Sequence, residues 1–194
     1  MTQTKAIDEI IAVLWAQHRD WKRAAGWAPS NASAKLEAAK LDRQLSFAHT
    51  LRDYLAPFPK ESADARQILG YVTLRSLCEG AIQLFITVDY NDYISDIDVI
   101  KSKNKTVEPE DAQFNALIDF YLKKGDDKFG PFLKRVQQRG NAIHHFAERP
   151  IGTQDELKQD ILCLRDFLVS VDLQLPDPPP LPDPDPDGYP DPVW

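Results

Sequence analysis

Long apolar runs, clustered cysteines and an excess of positive charge are all missing from this 194-residue chain, and each absence removes a class of protein. No stretch approaches the roughly 18 consecutive apolar residues that span a bilayer, so no membrane contact is expected. Met1-Thr2-Gln3-Thr4-Lys5 leads directly into an amphipathic pattern, without the apolar core and small-residue cleavage site of a secretory signal. The expected location is the cytoplasm. Cys78 and Cys163 are far apart and lie inside apolar helical stretches. That placement fits neither a disulfide framework nor a zinc site, and both read as small core residues. No HExxH, CxxC or glycine-rich phosphate loop occurs, and no serine or cysteine sits in a nucleophile elbow. Neither a metal nor another cofactor is expected.

The net charge is -7, but residues 176–194 hold five aspartates and no Lys or Arg, which leaves the body at -2. A body so nearly neutral lacks the broad basic field of most nucleic-acid binders, so any RNA contact has to be local and small. With 43% hydrophobic and 27% charged residues the composition is that of an ordinary globular protein. The length suffices for one well-filled core. Residues 1–175 read as a single helical domain and 176–194 as an appended tail.

Within the domain, apolar residues recur at helical spacing. Ile7, Ile10, Ile11, Leu14, His18 and Trp21 define a first helix over 4–24, closed by Gly26 and Pro29. Ser30-Asn31-Ala32-Ser33 offers caps for a second, running to about Ala56, with Leu41, Leu45, Ala48, Leu51 and Leu55 inward. A third, from Ser62 to Val88, is apolar over a broad surface and is expected to be the central helix. Residues 89–105 read as a loop with a short turn or strand. Glu108-Pro109 starts a fourth helix that Gly125 ends. A fifth spans roughly 126–150. Thr153-Gln154-Asp155-Glu156 is a capping box that opens a sixth. The expected fold is all-α, a bundle of five or six helices with no sheet of consequence.

The tail, PDPPPLPDPDPDGYPDPVW, is of different material. Proline blocks helix and sheet, the aspartates repel one another, and little apolar surface is available to bury. An extended, polyproline-like, disordered segment is expected. It reads as a solubilising terminus, as a docking peptide ending in Trp194, or as a mimic of phosphate backbone that shields a functional face.

Chemistry concentrates in Gln137-Gln138-Arg139-Gly140-Asn141-Ala142-Ile143-His144-His145-Phe146. The whole chain has four histidines, and two stand here. Arginine, asparagine and imidazole supply a phosphate clamp, an orienting amide and a proton carrier, the parts that metal-independent phosphodiester cleavage needs. Taking residues 129–148 as one regular helix at about 100° per residue, Phe129, Phe132, Val136, Ile143 and Ala147 face the core. Gly140 shares that side, where it lets another backbone approach. Asn141 stands one turn before His144 and His145 on the polar side. Arg139 lies about 140° around from His144, so the two converge on one substrate only across a two-fold axis. For Arg139 two roles stand open: phosphate binding, or a salt bridge to an acid on a neighbouring helix. The histidines have an equally plain structural role, as an exposed pair near a helix C-terminus. His18, between Trp15 and Trp21, reads as a half-buried core or interface residue.

An arginine followed at short spacing by histidine, with a polar residue close by, late in a small all-α domain, resembles the HEPN superfamily (higher eukaryote and prokaryote nucleotide-binding domains). The likeness covers mainly residues 108–174 and rests on Arg139, Asn141, His144 and His145. It implies a metal-independent endoribonuclease of the kind found in toxin–antitoxin and anti-phage systems. Such an enzyme acts on RNA as a homodimer with a composite site, and an antitoxin or other regulatory protein restrains it. The chain departs from the pattern at Gly140, which separates the arginine from the polar residue. Either Arg139 serves from one place earlier, with His144 or His145, or Gly140 occupies the arginine position and the catalytic arginine is missing. The second alternative turns the domain into a non-catalytic HEPN-like module that binds a protein partner or a nucleotide.

Overall fold

The structure is a computed structural model that describes residues 1–24, 28–144 and 149–177, with the backbone alone at His144. Among these residues helix dominates. In chain order the elements are α1 (Gln3–Trp21), α2 (Ser30–Ala38), α3 (Leu41–Thr50), α4 (Ala63–Val88), α5 (Tyr90–Ser95), β1 (Lys101–Ser102), β2 (Lys105–Thr106), α6 (Phe114–Lys124), α7 (Gly130–Gly140) and α8 (Gln154–Asp172). No described helix is long and apolar enough to cross a membrane.

α4 is the axis of the bundle. Its 26 residues make a rod about 39 Å long, and it packs against α2, α3, α6, α7 and α8. That is why its apolar residues point in nearly every direction instead of forming one stripe. Tyr71, Leu74, Leu77, Cys78 and Ile82 have no exposed surface. The two shorter partners α1 and α8 lie side by side and bring Ile7, Ile10, Ile161 and Leu168 into the same core. Phe167 of α8 is its aromatic hub: the rings of Tyr121 and Phe129 meet it nearly edge-on at 5.4 Å, and Phe132 lies at 6.2 Å. Each such pair adds about 0.5–1.5 kcal/mol beyond the area it buries. Trp21, Ala24, Leu36, Leu41, Leu84 and Val88 form a smaller second cluster, against which Leu175 packs.

Four boundaries differ from the sequence expectation. Glu108-Pro109 opens only a 3-10 turn over Pro109–Asp111, Ala112 is extended at ψ 138°, and the helix expected from there begins at Phe114. The helix expected from Ser30 to Ala56 is broken at Ala39, whose ψ of 142° is extended. The Lys22 ammonium takes the carbonyls of Glu37 and Ala39, groups that a helix end would leave without partners. Residues 89–107 hold a short helix and a two-stranded antiparallel ribbon, with Lys101 opposite Thr106 and Ser102 opposite Lys105. Lys103 and Asn104, at φ of 49° and 64°, make the tight hairpin turn that suits the twist of paired strands. The fifth helix stops at Gly140 and passes into a 3-10 turn over Asn141–His144, well short of residue 150. The described residues therefore hold eight α-helices rather than five or six. The acidic tail beyond Asp177 lies outside the described residues.

Candidate functional site

The surroundings of Arg139 are built by α4, α7, α8 and the segment leading into α8. The capping box expected at Thr153 is present: the Glu156 amide donates to Thr153 Oγ1 at 3.2 Å, and the Thr153 amide donates to Glu156 Oε2 at 2.8 Å. That exchange fixes the Glu156 side chain, and its other oxygen, Oε1, accepts from Arg139 Nη2 at 2.6 Å. Nη1 of Arg139 donates to the Tyr71 hydroxyl at 2.5 Å, and the guanidinium carbon lies 5.1 Å from the centre of the Tyr71 ring. The side chain is 13% exposed. Of the two roles open to Arg139, the structure holds the salt bridge to a neighbouring helix.

Behind this pair stands a buried carboxylate. Asp160, 2% exposed, accepts from the Tyr71 hydroxyl at 2.9 Å and from Arg135 Nη2 at 2.5 Å and Nε at 3.0 Å. Its Oδ2 is 3.8 Å from Arg139 Nη1. Arg135 and Arg139 are four apart on α7, so they share a face and grip the two carboxylates of α8 from the same side. Burial, reinforced by the facing Asp160 carboxylate, pushes the Tyr71 phenol well above its ordinary pKa, so it stays a neutral donor. Burial works to lower the pKa of Arg139, but the hydrogen bonds to Glu156 and Tyr71 outweigh it and the net shift is upward.

Asn141 is committed as well. It follows the last residue of α7, and its Oδ1 accepts from Arg75 Nη1 of α4 at 2.5 Å. The Arg75 guanidinium also lies over the Phe114 ring at 5.5 Å. Gly140, one residue earlier, brings α7 onto α4: a Cβ built there would lie 3.2 Å from the Tyr71 carbonyl oxygen and 3.2 Å from Arg75 Cδ. The close backbone approach read from this glycine is thus present. The turn after Gly140 corrects the helical wheel on which the motif was laid out. A 3-10 turn advances about 120° per residue rather than 100°, so the angle assigned between Arg139 and His144 does not apply. The side chain of His144 and all of His145 lie outside the described residues. The structure therefore brings Arg139 and Asn141 to one end of α7 but gives each a different partner, and it neither joins nor separates them from the imidazoles.

Next to Arg139 opens a cleft of about 590 Å³ lined by Pro131, Lys134, Arg135, Gln138, Arg139, Arg149 and Pro150. Four of the seven are cationic and none is acidic. The lining contains no histidine and no carboxylic acid. A separate hollow of about 480 Å³ between α2, α3 and α4 is walled by Leu36, Leu41, Leu84 and Gln44 and holds none of the motif residues. His18 is half-buried, and its pKa is lowered by that burial, in keeping with a packing role. Among the described residues no group of three His, Cys, Asp or Glu side chains is placed to share a metal ion.

Sequence reasoning missed Tyr71, Arg135, Glu156 and Asp160 as parts of this site. A signal existed for Asp160: it stands between Leu157, Ile161 and Leu164 on the apolar face of α8, where a carboxylate must find a cation. Arg135 was also legible, as the residue one turn before Arg139. Comparison with protein-family models, with curated proteins and with solved structures finds no match to this chain.

Proposed function

We propose that this chain is a non-catalytic HEPN-like helical module that binds a protein partner or a nucleotide and does not cleave RNA. One observation carries the reading: Arg139, the residue a nuclease would aim at the scissile phosphate, is spent on Glu156 and Tyr71 of its own chain. Releasing it sacrifices the ion pair to the half-exposed Glu156, about 1 kcal/mol, and the Tyr71 hydrogen bond and cation–π contact, about 2 kcal/mol more. Such a cost, taken from transition-state stabilisation, slows a reaction about a hundredfold. Asn141, the orienting amide, is likewise occupied by Arg75. On this reading the motif is an anchor that ties α7 to α4 and α8, and Gly140 is there for close packing.

The rival reading, a metal-independent endoribonuclease acting as a homodimer under an antitoxin-like partner, is favoured by the cationic cleft beside Arg139. In it His144 or His145 moves the proton of the 2′-hydroxyl or of the leaving oxygen, and Arg139 stabilises the phosphorane. The two readings separate in one assay, in which purified protein is incubated with mixed single-stranded RNA in excess chelator. The module leaves the RNA intact. Cleavage that vanishes in His144→Ala or His145→Ala establishes the nuclease and ends the module reading.

A further inference from the structure

The cleft on the outer face of α7 is the feature that the motif does not explain. Its cations are of two kinds. Arg135 and Arg139 are held from behind by Asp160 and Glu156, so their guanidinium planes are fixed in direction. Lys134 and Arg149 are exposed and have no ion-pair partner among the described residues. Four positive charges set against two carboxylates leave a surplus of two facing the hollow. Its size, about 590 Å³, falls among small-molecule sites. Pro131, in the first turn of α7, and Pro150, in the segment leading into α8, stiffen the lining by fixing φ. Gly152, at φ 76°, lets the incoming segment lie against Arg139, since a Cβ built there would come within 2.5 Å of its guanidinium carbon. The guanidinium floor is thus pre-set and needs little reordering to face an anion, whereas the exposed Lys134 and Arg149 settle onto it on binding.

We propose that this cleft binds a small ligand bearing a doubly or more highly charged phosphate group, with Lys134 and Arg149 as its direct contacts and Arg135 and Arg139 as a fixed cationic floor. The ligand class deepens the module reading and rests on it. The Arg135 and Arg139 forks are taken by Asp160, Glu156 and Tyr71 and contribute fixed positive charge, while the exposed Lys134 and Arg149 have donors free for the phosphate oxygens.

The test is calorimetric titration of the full chain with inorganic pyrophosphate at low ionic strength, for wild type, Lys134→Glu, Arg149→Glu and, as a charge-matched control at the distant hairpin, Lys103→Glu. Both cleft side chains are exposed, so the variants keep the fold, checked by circular dichroism. Wild type should bind. Each cleft variant should weaken binding about tenfold, the double variant should lose it, and the control should stay within about twofold. No heat with pyrophosphate, equal loss in the control, or unchanged affinity in the double variant overturns the proposal. A single-stranded RNA that binds this face and that pyrophosphate fails to displace also overturns it, in favour of an extended RNA surface. The RNA cleavage assay reads the module separately, so an active nuclease and an empty cleft are distinguishable failures.

Discussion

Removing the Asp160 carboxylate is the sharpest perturbation of this arrangement. Asp160 is 2% exposed and serves three groups: the Tyr71 hydroxyl at 2.9 Å, the Arg135 fork at 2.5 and 3.0 Å, and Arg139 at 3.8 Å. In Asp160→Ala the buried phenol loses its acceptor, at about 1–3 kcal/mol. Arg135 is 36% exposed and recovers part of its hydration, so its loss is nearer 1 kcal/mol. Arg139 keeps Glu156 and adds little. The expected destabilisation is about 3 kcal/mol, or a fall in melting temperature of about 6–12 °C for a domain of this size. Asp160→Asn retains an acceptor for Tyr71 and should cost about half as much. Urea unfolding followed by circular dichroism reads both variants, with an unchanged m-value showing that native-state stability is what moved. A double-mutant cycle with Arg135→Ala should return a coupling of about 1–2 kcal/mol. A loss below about 1 kcal/mol in Asp160→Ala, or no coupling to Arg135, would refute the claim that this carboxylate locks α7 to α8.

Two further perturbations probe the same locus. Gly152→Ala forces a Cβ onto a backbone at φ 76° and into the Arg139 guanidinium. It should destabilise by about 2 kcal/mol, whereas Gly140→Ala, whose obstacle is the Tyr71 carbonyl of the central helix, should destabilise by about 1 kcal/mol despite a better helix propensity; thermal melts that rise in either case would contradict the packing described. The hydrogen bond to Arg139, with help from the Thr153 amide, holds the Glu156 carboxyl below its ordinary value. A depressed pKa means that the ion pair stabilises the fold above the unfolded value, about pH 4.3, and is lost as pH falls through the folded value. The stability gap between wild type and Glu156→Gln, measured by denaturant titration at a series of pH values, should therefore be full at pH 6 and shrink below about pH 4; a gap that widens on acidification has the wrong sign.

Much of the scaffold was legible one residue at a time. The stripe of Ile7, Ile10, Ile11 and Leu14 on α1, the all-round apolarity of α4 and the capping box at Thr153 are local patterns, and local patterns survive folding when packing agrees with them. The break at Ala39 was hidden because the group that satisfies the carbonyls of Glu37 and Ala39, the Lys22 ammonium just past the end of α1, comes from another segment. The end of α7 was hidden for a related reason. Nothing in Asn141-Ala142-Ile143-His144 forbids a helix by propensity, and there Asn141 is held by Arg75 of α4. The motif itself was visible as a string, but the string did not say whom Arg139 would meet.

From sequence alone followed the all-α class, the place of the central helix and the address at which to look, since periodicity and capping depend on residues within a few positions of one another. Only the tertiary structure decided that a capping-box glutamate and a buried aspartate of α8 would claim the arginines of α7 and leave a cationic cleft on their far side. Ion pairs between residues 17 and 25 positions apart depend on how the helices pack, and helical periodicity carries no record of which faces meet.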